Sequence, residues 1–215
     1  MWTLDDADTR LRDRLAEEST VFWSLSQRRE YLSDAQDFIA AVTRGVEHEV
    51  VATVSSSNPV IPLPTRVVNA HPAAAFTGQG RALNVVPIAT ANLVDVEWRS
   101  RKGRTPQWVI PHFSKKEAYV TPIPTQPVQV GLVVSVLPDR LEEGSDVMFN
   151  GSEVMSKYLN STLNLAASYA LLKERYDGDA ERFYQLAITE LTQLGIVPED
   201  IPPFKQVMDE RREAN

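Results

Sequence analysis

"TPIPTQPVQVGLVVSVLPDRL", residues 121–141, decides how the rest of the chain is read. Its leader holds Pro122, Pro124 and Pro127. Proline lacks a backbone N–H, so this leader cannot lie in a central β-ladder and suits an edge. Val128 to Leu137 then run with period-two alternation. Val130, Leu132, Val134 and Val136 fall on one face; Gln129, Gly131, Val133 and Ser135 fall on the other, where Val133 implies partial cover. The spacing predicts the best-buried strand of a β-rich region, with Pro138 marking the exit from it.

Upstream of this strand, "SSSNPVIPLP" ends all helical periodicity at residues 55–64. Short strand-like runs follow: "TRVVNA", "ALNVVPIA", "LVDVEWR", "QWVIPHF" and "AYVTPIP". "RKGR", Arg101 to Arg104, reads as a hairpin tip between strands ending near Trp98 and beginning near Trp108. Both flanks of the β-rich region are helical. Thr3 with Asp6 and Ser24 with Gln27 match capping boxes. Leu4, Ala7, Leu11 and Leu15 make one helical face, and Leu25, Leu32, Ala35, Ile39, Val42 and Val46 make another, predicting a second helix from Ser26 to Val50. After Asn150, Val154, Tyr158, Leu165, Tyr169 and Leu172 predict a third helix that stops at Gly178. Ala180, Phe183, Ala187, Leu191 and Leu194 predict a fourth, ended by Gly195. The last stretch, with its prolines and charges, reads as an arm ending in a short helix, too polar and broken to join a core.

The expected fold is therefore α+β, mainly α. A helical pair (1–52), an inserted β-rich domain (53–149), a second helical pair (150–195) and a C-terminal arm (196–215) follow in order, with the four helices forming one bundle.

Chemistry is scarce. The chain has no cysteine, which excludes disulfide scaffolds, thiolate nucleophiles and Cys-ligated metals. His48, His71 and His112 are far apart and show no metal-ligand spacing. "GQGRAL" at Gly78 lacks the third glycine of a dinucleotide fingerprint and leads into a strand, so it reads as a loop. "DDAD" at Asp5 to Asp8 complements a helix N-terminus better than it holds a cation. No catalytic residue, cofactor site or metal site is predicted. No apolar run approaches the roughly 20 residues of a membrane span, and "MWTLDDADTR" carries no secretory signal. A net charge of -7 argues against a general phosphate-binding surface and suits one that DNA slides past. Trp98, Trp108, Phe113 and Tyr119 do lie near Arg99, Arg101, Lys102, Arg104, Lys115 and Lys116. Such interleaving serves single-strand stacking or, more simply, a hairpin with cross-strand aromatic pairs and a solvated tip.

Surfaces rather than sites remain, and their order carries a resemblance. "LDDADTRLRDRLAEE", then "FWSLSQRREYLSDAQDFIAAVT" with its aromatic–Ser start and Ala35–Gln36, then "VQVGLVVSVLPDRL", "VMFNGSEVMSKYLNSTLNLAASYALL" and "GDAERFYQLAITELTQL" occur in the order of the head-to-tail adaptor (connector) proteins of tailed bacteriophages. The chain resembles that family from Leu4 to about Gly195. It departs at "FNGSEVM", which lacks the family's proline and aromatic residue before the third helix.

The resemblance implies a non-enzymatic virion protein, assembled in the host cytoplasm into a ring that is commonly dodecameric. The ring would sit beneath the portal protein, with a tail or nozzle protein below and double-stranded DNA passing through its lumen without sequence-specific binding. It implies a portal-docking arm, which maps to Ile201, Phe204, Lys205, Val207, Met208, Arg211 and Arg212. The β-insert would meet a neighbouring copy or the tail through Arg99, Arg101, Lys102, Arg104 and Trp108. Two alternatives stand beside this reading. One is a nucleic-acid-binding module using the basic aromatic hairpin. The other is a carbohydrate-binding or hydrolytic tail component using Asp95, Glu97, Asp139 or Glu142.

Overall fold

Local capping starts the chain. In the computed structural model, which describes residues 2–16, 22–197 and 201–213 (the side chains of 69–74 and 211–213 apart), helix α1 spans Leu4–Arg14. The Asp6 backbone N–H donates to the Thr3 hydroxyl at 3.3 Å, and the Thr3 N–H donates to the Asp6 carboxylate at 3.1 Å. The Thr3 backbone and hydroxyl donors hold the Asp6 carboxyl below its ordinary value. Helix α2, Leu25–Thr43, opens with the reciprocal Ser24–Gln27 box. Mixed α+β structure follows: six α-helices and a seven-stranded, nearly closed sheet among the described residues. The chain divides into two compact units, Met1–Val46 with Pro138–Asn215, and Glu47–Leu137.

In the helical unit, α1 buries Leu4, Ala7 and Leu11 on the expected face. Beside them, Asp8 accepts from Arg28 of α2 at 2.6 and 3.0 Å, and Arg28 also donates to the Trp23 carbonyl. Arg28 is 2% exposed, so this forked pairing supplies the hydrogen bonds that a buried guanidinium requires. Helix α2 stops at Thr43, not at Val50 as the spacing predicts, because Arg44 turns left-handed (φ 52°) and alternation takes over at Glu47. Leu25, expected on the buried stripe, is exposed, while Leu32, Ala35 and Ile39 are fully buried.

The polar residues of α2 receive the returning chain. Gln36, fully buried, donates to the Asp139 carbonyl at 2.8 Å and accepts from the Phe149 N–H at 3.0 Å. Ser33 accepts from the Leu141 N–H at 3.1 Å, Arg29 donates to the Glu142 carbonyl, and Arg140 pairs with Asp34 at 2.5 Å. Phe149 and Asn150 both adopt left-handed backbone, and Asn150 accepts from the Asp139 N–H at 2.9 Å. A 3₁₀ segment, Val154–Tyr158, follows and leads into the remaining helices of this unit. The first of these is α4, Leu159–Lys173, which is buried on nearly every side. Its Ala166, Ala167, Ser168 and Ala170 keep it slender, and α1, α2 and α5 (Asp177–Gln193) each pack against it. Gly178 does not stop α4; Arg175 does so in a left-handed conformation (φ 63°), and Gly178 lies inside α5. Gly195 (φ 91°) ends α5 as expected: its N–H reaches the Thr192 carbonyl and that of Ile196 the Leu191 carbonyl.

In the other unit the strands are β1 (Glu47–Val54), β2 (Val60–Pro62), β3 (Val67–Thr77), β4 (Ala82–Val85), β5 (Lys102–Gly103), β6 (Trp108–His112), β7 (Glu117–Thr121), β8 (Ile123–Pro124) and β9 (Val128–Val136). The main sheet runs β1-β9-β3-β4-β6-β7-β2. β9 lies antiparallel between β1 and β3, and its Val130, Leu132 and Val134 are fully buried, as its alternation predicts. The proline-rich leader leaves the main ladder, and Ile123–Pro124 pairs instead with Lys102–Gly103. Two expectations fail here. "LVDVEWR" is not a strand but the end of helix α3 (Ile88–Val94) and a following turn, and "RKGR" is not a hairpin tip but contains β5. β1, which the sequence pattern left inside the second helix, forms one edge of the sheet.

Replacing Gln36 by Leu strips the Phe149 N–H and the Asp139 carbonyl of their buried partners. A loss of about 2–4 kcal/mol is expected in urea unfolding, from two stranded backbone groups.

Candidate docking surfaces

The arm of the helical unit does not project freely. Helix α6 spans Phe204–Glu213, and the expected short terminal helix is present. Ile201 is 8% and Val207 5% exposed, which corrects the reading that this stretch joins no core. The Phe204 ring lies 5.4 Å from that of Tyr184 on α5, and the Tyr184 hydroxyl donates to the Pro202 carbonyl. Burial, with a smaller contribution from Tyr169, pushes the Tyr184 hydroxyl up, so it stays a protonated donor. Lys205 is exposed and Met208 half-buried. Arg211 and Arg212 continue α6, but their side chains lie outside the described residues. The sequence pattern of α5 named Phe183 for its inner face; Tyr184 takes that place, with Ala180, Ala187 and Leu191.

The second surface belongs to the sheet unit. Val109 and Val120 point into the sheet's core, while their neighbours Ile110 and Tyr119 point outward against α3 and Trp98. Trp98 is 1% exposed; its indole N–H donates to Asn92 at 2.9 Å, and its carbonyl accepts from the Thr121 hydroxyl at 2.9 Å. This plug fixes the turn after α3. Asp95 caps the turn by accepting from the Glu97 N–H at 3.1 Å, and it also pairs with Arg101 at 3.1 Å. Outside the plug, Leu93 (86%), Val94 (65%) and Val96 (84%) are exposed, as are Arg99, Lys102 and Arg104 a few residues on in the chain. Arg99 lies over the outer side of the Trp98 ring at 4.3 Å. Trp108 is half-buried. Of the five residues expected at a hairpin, Arg99, Arg101 and Trp108 touch this helix–turn tip, while Lys102 belongs to β5 and Arg104 is exposed just after it; the aliphatic trio is what the sequence reading missed. Its signal was the Pro87 start followed by "IATANLV", a helix with unmatched aliphatics at its end.

Two of the four candidate carboxylates have structural partners. Asp139 accepts from the Asn150 amide, and Asp95 is tied to Arg101. Among the described residues no three His, Asp or Glu side chains gather to hold a metal, and no helix is long and apolar enough to cross a membrane. A family model described as SU10 adaptor protein matches residues 2–211. The chain belongs to the SU10 adaptor family. That is a head-to-tail adaptor family of tailed bacteriophages, structural rather than enzymatic. No curated protein matches the chain. In this adaptor the arm is tied to its unit through Tyr184 and the tip to its own through Trp98.

Tyr184→Phe removes the donor to Pro202 and is expected to cost about 1 kcal/mol. Faster amide exchange in α6, with α4 unchanged, is the readout. The folded chain favours the neutral phenol, so the contact holds below about pH 10 and weakens as alkali removes the proton.

Proposed function

We propose that this adaptor forms a ring beneath the portal ring and joins the DNA-filled head to the tail, with double-stranded DNA passing through the lumen. The observation that carries the reading is the family match over residues 2–211. In this reading α1, α2, α4 and α5 act as one bundle that carries the arm toward the portal, and the sheet unit meets neighbouring copies or a tail or nozzle protein. The assembled particle is the virion, built in the host cytoplasm. A net charge of -7 supports a lumen that DNA passes without adhering.

Single-strand stacking draws no support from Trp98, which at 1% exposure offers no free face to a base. The arm docks through its outer side: Lys205 is exposed, Arg211 and Arg212 follow it, and Ile201 and Val207 stay packed in their own unit. Truncating the arm would uncover Tyr184, so charge reversal is the cleaner test. Lys205→Glu with Arg211→Glu and Arg212→Glu is expected to lower co-sedimentation with portal rings at least tenfold while the thermal midpoint holds. Normal binding by this variant would show that the arm is not the portal contact. Electron micrographs of adaptor mixed with portal test the ring itself.

A further inference from the structure

One wall of the sheet unit carries a groove. It lies on the outer face of β1, β9 and β3, is lined by Glu49, Val51, Phe76, Gly78, Gln129 and Gly131, and encloses about 330 Å³. Glycine keeps its floor low. A Cβ on Gly131 would meet the Phe76 ring at 2.5 Å, so only glycine lets that ring lie across the strand. Val51 is 50% exposed within it. Glu49 lines it, and Glu47 lies two residues along the same strand and so on the same face.

The α3 tip has the opposite character. Leu93, Val94 and Val96 form an exposed aliphatic knob, and residues 92–104 hold four cations (Arg99, Arg101, Lys102, Arg104) against Asp95 and Glu97. The knob stands outside β6 and β7, whereas the groove lies outside β1, β9 and β3. In the order β1-β9-β3-β4-β6-β7-β2 of a nearly closed sheet, these are different walls of one unit. An aliphatic basic knob on one wall and an apolar acidic groove on another cannot meet within the unit. They can meet between copies, and a contact of unlike patches propagates head to tail until a rotation closes it into a ring.

We infer that the knob at Leu93, Val94 and Val96 of one copy seats in the groove at Val51, Phe76 and Gly131 of the next. This rests on the ring reading above and names its interface. Apolar contact supplies the centre, and Arg99 and Lys102 facing Glu49 set the register at the rim.

The chain has no cysteine, so introduced thiols are the only ones the adaptor itself contributes. Full-length Val51→Cys plus Val96→Cys, treated with a short bis-maleimide in the presence of portal, is expected to give a ladder of covalent oligomers. Mixing the two single variants should give dimers, and neither alone should give any. Gln129→Cys provides a second groove position if Val51→Cys folds poorly. Leu93→Asp with Val96→Asp should reduce assembly more than tenfold at an unchanged thermal midpoint. Rings in micrographs with no ladder from either groove position would overturn this contact and leave the ring reading intact. Dimers from Val96→Cys alone would replace it with a tip-to-tip contact. Absence of rings under every condition would remove the ring reading, and this inference with it.

Discussion

A chain that leaves a helical unit at Val46 and returns at Pro138 must be caught on re-entry, and the Gln36 carboxamide does this. It fills both hydrogen-bonding needs of a buried crossing, the Asp139 carbonyl and the Phe149 N–H. Arg29, Ser33 and Gln36 recur at helical spacing, so one polar stripe of α2 holds the backbone from residue 139 to 149. Closing so long an excursion costs chain entropy, and a stripe of fixed donors and acceptors offsets it where apolar contact alone would leave backbone groups unpaired. The N-terminal stretch adds to the clamp: Leu4 donates to the Asp146 carbonyl at 2.7 Å and Met148 to that of Trp2 at 3.0 Å.

Once the return is secured, α4 becomes the axis of its unit. Arg14 of α1 donates to Asn164 at 2.9 Å, and Ser161 donates to Glu190 of α5 at 3.0 Å. These polar links sit among small side chains that allow close helix approach, so each neighbour of α4 has a defined register. The arm extends the same logic. Phe204 and Pro202 are gathered by Tyr184, leaving the charged side of α6 outward.

The sheet unit solves a different problem. Its core takes the inner faces of β1, β9, β3, β6 and β7, and Trp98 covers the outside of β6 and β7. What stays uncovered is unlike on different walls, aliphatic and basic at the α3 tip, grooved and acidic at β1. Unlike exposed patches of this kind are the raw material of a head-to-tail contact.

Sequence alone determined the features that depend on nearest neighbours. The capping boxes at Thr3 and Ser24, the alternation of β9, the stop at Gly195 and the edge character of the proline-rich leader all follow from local backbone chemistry. The order of the chain's segments also carried the resemblance to the adaptor family that the match over residues 2–211 bears out. Tertiary structure alone decided the rest. "EHEVVATV" fits a helix stripe until β9 is placed beside it, and "LVDVEW" fits a strand until Trp98 finds its pocket. Ile201 and Val207 look solvated until the unit that buries them is present. Burial depends on surfaces contributed from far along the chain, so the exposed α3 tip and the groove beside β1 are invisible in the sequence and legible only in the fold.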